Sequence, residues 1–361
     1  MQMSTTSKSK SFQAEAPLWR QLATIGVGLA GGAIFLWFGV PAGGMSGAMA
    51  LVALVGSLRP AWIVSLGAPL RYLAMVTSGV AIGATVSMET LRNITTYPVS
   101  VTGMIVCVFC MTAASAWVSI KFSKWDRTTA VLAAVPGAMG FVLSAVMTTG
   151  ANAPRVVTVQ MIRVFALICL VPLALSDAGV ALAPAVQTAS DPLWLFSLEC
   201  TTALGVGLLF TRWKIAGGMM LGAMAVSGGF HLAEITHARA PLPVMIAGQV
   251  LIGTWTGSRF SGFDWGQFLR ETPSMLAAIT VSATISVLFA LTASMLLGSP
   301  FGATFLAYSP GGIEAMTILA LALGFDPFYV AAHHLARFFM LNVGLPLTLG
   351  YWIGKKGEQA R

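Results

Sequence analysis

Two arginines carry the chemistry this chain advertises first. Arg163 and Arg337 each stand near the middle of a long apolar run. Insertion of arginine at such a depth in a bilayer costs about 2.5–3.5 kcal/mol, so each needs a partner or a wet cavity. Each follows a proline by 27 residues, in Pro136-Gly137 and in Pro310-Gly311-Gly312. Proline removes a backbone donor and clashes with the preceding turn, and glycine allows the bend, so a helix breaks at these points. Backbone freed by such a break survives in lipid only against protein or a water-lined cavity. Glu314 follows the second break, and His334 precedes Arg337 by one helical turn. Two cations facing one carboxylate leave net positive charge, suited to a carboxylate or another small anion, and half-helix N-termini add to it. The expected substrate-binding set is therefore Arg163, Arg337, Glu314, His334 and the break residues Pro136, Gly137, Pro310, Gly311 and Gly312, with no catalytic residue. The bland alternative has each arginine holding the carbonyl end of a broken helix.

His333 and His334 are adjacent and project about 100° apart on a helix, so they do not form the i,i+4 pair that ligates one metal. One of them can face Glu314 as a proton carrier, or can be a satisfied polar residue in the bundle. Asp326 and Asn152 are expected to cap the helices that carry the two arginines. Glu199, near one end of its run, can snorkel to the interface. The cysteines, Cys107, Cys110, Cys169 and Cys200, lie in apolar runs and read as small hydrophobes.

The elements that position these residues come in two copies. Val135–Leu175 aligns on Ser309–Leu349 at an offset of 174 without a gap: Pro136 on Pro310, Gly137 on Gly311, Gly150 on Gly324, Arg163 on Arg337 and Pro172 on Pro346. Glu314 falls on Gly140 and His334 on Gln160, so the copies differ in their polar residues. Residues 43–50 match residues 218–225 at six of eight positions, and Gly79/Gly83 match Gly253/Gly257. An offset that holds within one residue through three stretches points to a fused duplication. The GxxxG pairs are expected to let helices approach closely.

Composition sets the class. The chain is 57% hydrophobic and only 9% charged, with mean hydropathy +0.83, whereas soluble domains carry about 25% charged residues. Continuous apolar runs of about 20 residues argue for an all-α integral membrane protein and against a β-barrel. The net charge of +8 comes from basic residues in short loops and is no sign of nucleic acid. The expected division is a tail (1–19), repeat 1 (20–175), a linker (176–191), repeat 2 (192–353) and a second tail (354–361).

Twelve runs are long enough to span. If the fifth of each half, 127–149 and 301–324, dips in and returns, the chain makes about ten crossings and the halves run in opposite senses. Of the eighteen Lys and Arg other than Arg163 and Arg337, sixteen then share the side of the termini, with Arg92 and Arg239 opposite. With twelve crossings the split is twelve to six. The positive-inside rule prefers the first arrangement, which is inverted repeats with two broken or re-entrant helices and both termini cytoplasmic in a bacterial inner membrane.

A Pro-Gly-Gly-hydrophobic-Glu break, a glycine ten residues on, an aspartate, then a helix with arginine and a terminal proline, all duplicated, resembles the membrane AbrB-type family. The first copy, Pro136-Gly137-Ala138-Met139-Gly140, lacks the second glycine and the acid. Members of that family carry the labels ammonia monooxygenase and regulator of gene expression. An oxygenase needs a redox metal held by His, Cys or carboxylate, and the four histidines show no ligand spacing; a DNA-binding regulator needs a basic soluble module. The expectation is therefore not an enzyme, with no cofactor and no metal. It is a secondary transporter of a small anionic metabolite, coupled to H+ or Na+, in contact with the lipid bilayer and compatible with a homo-oligomer. A membrane-bound sensor that affects gene expression without transport is the competing class.

Overall fold

The computed structural model of the chain describes residues 16–358 apart from 94, 96, 138–141, 143, 144, 148, 177–192, 237–240 and 264. Gly140, Arg239 and nearly all of the 176–191 linker therefore lie outside the described residues. Among the described residues every regular element is helical. In chain order they are α1 Leu18–Trp37, α2 Gly43–Leu58, α3 Ala68–Gly83, α4 Met88–Asn93, α5 Tyr97–Ser123, α6 Arg127–Ala134 and α7 Ala153–Ser176. Then follow α8 Leu193–Arg212, α9 Gly218–Leu232, α10 Leu242–Ser258, α11 Trp265–Leu297, α12 Phe301–Tyr308, α13 Ile313–Ala322 and α14 Pro327–Glu358. Five helical stretches, within α1, α5, α7, α8 and α11, are long and apolar enough to cross a membrane.

α1 turns small and polar residues inward and large apolar ones outward. α1 buries Gln21, Thr24, Gly28, Gly31 and Gly32 and exposes Trp19, Leu22, Leu29, Ile34 and Trp37. Small residues on the inner face let backbones approach, as association between apolar helices requires. Exposed tryptophans mark both ends of α1, Trp19 and Trp37, and both ends of α8, Trp194 and Trp213. At 1.5 Å per residue each pair stands about 27–29 Å apart, close to the roughly 30 Å of a hydrocarbon core.

Helix starts recur along the chain. α1 and α8, and α2 and α9, begin 175 residues apart; α3 and α10, α6 and α12, and α7 and α14 begin 174 apart. Left-handed backbone recurs with them, at Ala42 and Gly217, at Lys124 and Gly298, and at Gly150 and Gly324. A lysine holds at φ +53 the place that glycine holds 174 residues later.

Both fifth segments break at the Pro-Gly pair. α6 stops at Ala134 and α12 at Tyr308, and the next residues, Val135 (ψ 124) and Ser309 (ψ 145), are extended. Each precedes a proline, whose ring excludes helical ψ from the residue before it. The two ends of each segment lie together. Asn152 N–H donates to Thr129 Oγ1 at 2.8 Å, and the Phe325 ring covers Gly302 so closely that no Cβ fits there.

Contacts between the halves fix helix directions. Gly79 packs on Met220 and Ala223, and Gly83 on Met224 and Ser227, so α3 and α9 run parallel; Gly253 on Met45 and Gly257 on Met49 make α10 and α2 parallel. Ser115 Oγ donates to Ala278 O at 3.0 Å, while Ser282 Oγ meets Met111 Sδ at 3.5 Å. Index falls on α5 as it rises on α11, so these two equivalent helices are antiparallel. α3 and α10 behave alike: Arg71 stacks on Trp255, while Gly248 packs on Thr77 and Ser78.

Candidate functional site

The two breaks are built the same way. In the first, Arg163 Nη1 and Nη2 donate to Ala134 O (3.3 Å) and Val135 O (3.0 Å). In the second, Arg337 Nη1 donates to Ser309 O at 2.6 Å, and Nη2 reaches Gly311 O and, at 2.6 Å, His334 Nδ1. Ala134 O, Val135 O and Ser309 O are left over where α6 and α12 stop, Gly311 O lies in the break itself, and a planar guanidinium can serve two such acceptors at once. Each arginine is only 3% exposed. Each is thus tied to the carbonyl end of the broken helix in its own half.

His334 Nε2 meets Leu306 O at 3.0 Å. A carbonyl only accepts, so Nε2 carries the hydrogen and Nδ1 is free to accept from Arg337. Gln160 donates its amide to Leu132 O, the equivalent carbonyl, at 3.2 Å. Histidine and glutamine do one job in the two copies, that of a donor to an α12 or α6 carbonyl. Of the two roles open to the histidines, proton carrier on Glu314 or satisfied polar residue of the bundle, His334 holds the second.

The expectation for Glu314 is corrected. It is half-buried in the first turn of α13. Its carboxylate lies beside Gly312 and Gly217 and within electrostatic range of Arg259, not on either buried arginine. A carboxylate in a first helical turn is favoured by the N-terminal dipole. The single ion pair recorded among the described residues joins Arg155 to Glu271 at 2.6 Å. Glu199 does not snorkel: it is 2% exposed and one of its oxygens has no hydrogen-bond partner.

Of the two ways to offset the burial of an arginine, a partner or a wet cavity, both arginines use the first. The breaks do meet. A Cβ built on Gly137 would lie 3.5 Å from Nη2 of Arg337, so the first break touches the cation of the second, and Arg163 is within electrostatic range of Arg337. Beside Arg163 is a cavity of about 10 Å³ lined by Ser115, Ser119 and Ser282, and Arg163 Nε has no protein partner. That volume holds one water.

A second polar cluster, missed in the sequence apart from His333, lies at the mouth of segment 301–324. His333 Nδ1 meets Tyr329 O at 2.7 Å and Nε2 meets Ser100 Oγ at 2.9 Å. Ser100 Oγ also contacts the hydroxyl of Tyr329, and Tyr308 donates to Ser100 O at 2.7 Å. Tyr97 donates to Asp326 Oδ2 at 3.3 Å. Asp326 caps α14 by accepting from Phe328 N and Tyr329 N, and Asn152 caps α7 by accepting from Arg155 N, as expected. Ser100 stands more than 200 positions from Tyr308 and the α14 residues, and no local motif joins them. The equivalent place in the other half holds different chemistry: Glu271, equivalent to Tyr97, pairs with Arg155, equivalent to Tyr329, and accepts from Trp125 Nε1 at 3.0 Å. Among the described residues no three of His, Cys, Asp and Glu converge.

Compared with known proteins, residues 61–353 match the family described as transition state regulatory protein AbrB. An uncharacterized protein of Bacillus subtilis, YhjN, is 25% identical over an alignment that covers 91% of this chain and 92% of that protein. No solved structure matches.

Proposed function

The chain belongs to the AbrB family, and from that premise we propose that it is a multi-pass membrane protein that carries a small anionic metabolite by alternating access. Its ten crossings are α1, α2, α3, α5 and α7, then α8, α9, α10, α11 and α14. α6 and α12 lead re-entrant segments. The halves are inverted about an axis in the membrane plane, and both termini are cytoplasmic. The antiparallel course of two equivalent pairs, α5 with α11 and α3 with α10, supports the inversion. Such inverted repeats, with broken helices meeting near the midplane, are a transporter architecture.

One observation carries the reading. The broken segments follow the C-terminal ends of α5 and α11, which lie at opposite ends of the bundle, yet the first reaches the cation of the second at Gly137 and Arg337. Two hairpins that enter from opposite faces and touch in the middle form a barrier that either can open. In the shut conformation the arginines hold helix-end carbonyls. When one hairpin withdraws, its fork is released for an anion, whose carboxylate geometry a guanidinium matches. The ends of the bundle are closed by unlike contacts, Arg155–Glu271 at one and Tyr97–Asp326 at the other, so the two openings are separately tuned.

The test is uptake of radiolabelled mono- and dicarboxylates into proteoliposomes, with and without proton or sodium gradients. Gradient-dependent uptake of at least one anion above protein-free vesicles is the expected result. The family's description as a regulatory protein favours a second reading, a membrane sensor acting through the loops 121–127 and 259–271. No flux of any anion, together with a partner captured on those loops from native membranes, supports the sensor and removes the transporter.

A further inference from the structure

Hydrogens in the cluster around His333 can be placed by elimination. Tyr329 O only accepts, so the His333 Nδ1 facing it at 2.7 Å carries the hydrogen. His333 Nε2 is then a bare lone pair, and Ser100 Oγ, 2.9 Å away, donates to it. Having donated, Ser100 Oγ accepts from the Tyr329 hydroxyl. Tyr308 gives its own hydrogen to Ser100 O. The chain of hydroxyls points one way and ends on a basic nitrogen.

Packing does not require this chain. At equivalent positions the first half has Val159 for His333, Ala134 for Tyr308 and Arg155 for Tyr329, and it builds the corresponding helices α6 and α7 without them. A buried titratable group kept in one copy only is the mark of a functional site in a membrane helix. We propose that Nε2 of His333 binds a proton, and that this proton is the ion coupled to anion movement. The binding site stands on the geometry; its coupling rests on the transport reading above.

Protonation makes Nε2 a donor. Ser100 Oγ then accepts from it and turns its own hydrogen to Tyr329 Oη, which has Thr304 and Ser299 in hydrogen-bond range. The proton comes from water at the Asp326 end, and no bond between heavy atoms changes. The ring stands 4.2 Å from that of Tyr329, 5.9 Å from that of Tyr97 and 6.0 Å from that of Tyr308. Asp326 lies beyond Tyr97, and Cys107 neighbours Tyr308 and Arg337. His334 is the next residue, and Arg337 is one turn further along the same helix. Arg337 opposes a second positive charge on His333, and an anion on Arg337 removes that opposition. Anion and proton therefore favour each other's binding, and linkage makes the effect reciprocal.

The full chain, labelled with 15N-histidine in lipid vesicles, is titrated from about pH 8 to about pH 4 by solid-state NMR. His333→Val, which copies Val159, identifies the His333 resonances. The expected result is one protonated and one bare nitrogen at high pH, with the bare-nitrogen resonance lost on acidification and its midpoint moved by Ser100→Ala. A His333 ring that stays singly protonated over the whole range overturns the site. Vesicles loaded with a pH dye test the coupling. Proton entry that accompanies anion uptake in wild type and is lost in His333→Val supports it. Anion uptake without proton entry overturns the coupling and leaves the site.

Discussion

Arg337→Met is expected to lower the stability of the folded protein by about 3 kcal/mol or more. The substitution leaves Ser309 O, Gly311 O and His334 Nδ1 buried without their donor, and each orphaned acceptor costs about 1–3 kcal/mol. Removing a desolvated cation offsets part of that. Arg163→Met removes only two contacts, at 3.3 and 3.0 Å, and should cost about half as much. Arg337→Lys should recover part of the loss, because an ammonium lacks the fork that serves two carbonyls at once. Thermal melting followed by tryptophan fluorescence in detergent ranks the three. An Arg337→Met melt equal to wild type would mean that the break does not need its cation.

Gly253→Leu and Gly79→Leu should fail together. A Cβ on Gly79 would lie 2.6 Å from Met220 O, and one on Gly253 only 3.0 Å from the Ala48 Cβ, with Met45 O closer still. Overpacking typically costs about 1–3 kcal/mol, and backbone on a neighbouring helix yields less than a side chain does. Gly26 is the control, since no atom lies within 4 Å of a Cβ placed there, and its leucine variant should melt within about 0.5 kcal/mol of wild type. Equal losses at positions 79 and 253 follow from their equivalence in the two halves. A Gly79→Leu protein as stable as Gly26→Leu contradicts the parallel packing of α3 on α9.

The architecture was legible where its cause is local. The stop before each proline and the caps at Asn152 and Asp326 each depend on residues a few positions apart. The arginines were legible as buried cations, and the carbonyl end of a broken helix was one of the partners open to them, but a backbone carbonyl leaves no mark in a sequence that would choose it over Glu314 or an anion. Glu314 was one candidate partner because it follows the second break, while the acceptors in use are main-chain atoms. His334 aligns with Gln160, and a position that accepts either residue asks for a donor, not for a titrating base. The Tyr97–Ser100–Tyr308–His333 cluster escaped because hydroxyls in apolar runs are common, and only the tertiary fold brings these together. Glu199 escaped because one face of an apolar helix is buried and composition does not say which.

The account depends on the two broken segments entering from opposite faces. Lys124 and Gly298 occupy equivalent left-handed positions after α5 and α11, and both are exposed. Lys124 shows that a side chain is tolerated in that conformation, so Lys124→Cys and Gly298→Cys are suitable probes in an otherwise cysteine-free chain. Labelling with a membrane-impermeant maleimide in intact cells and in inverted vesicles reads the sidedness of each. Position 298 labelled only in intact cells and position 124 only in inverted vesicles is the predicted result. Both positions labelled from one face would contradict the inversion, and with it the two-hairpin barrier.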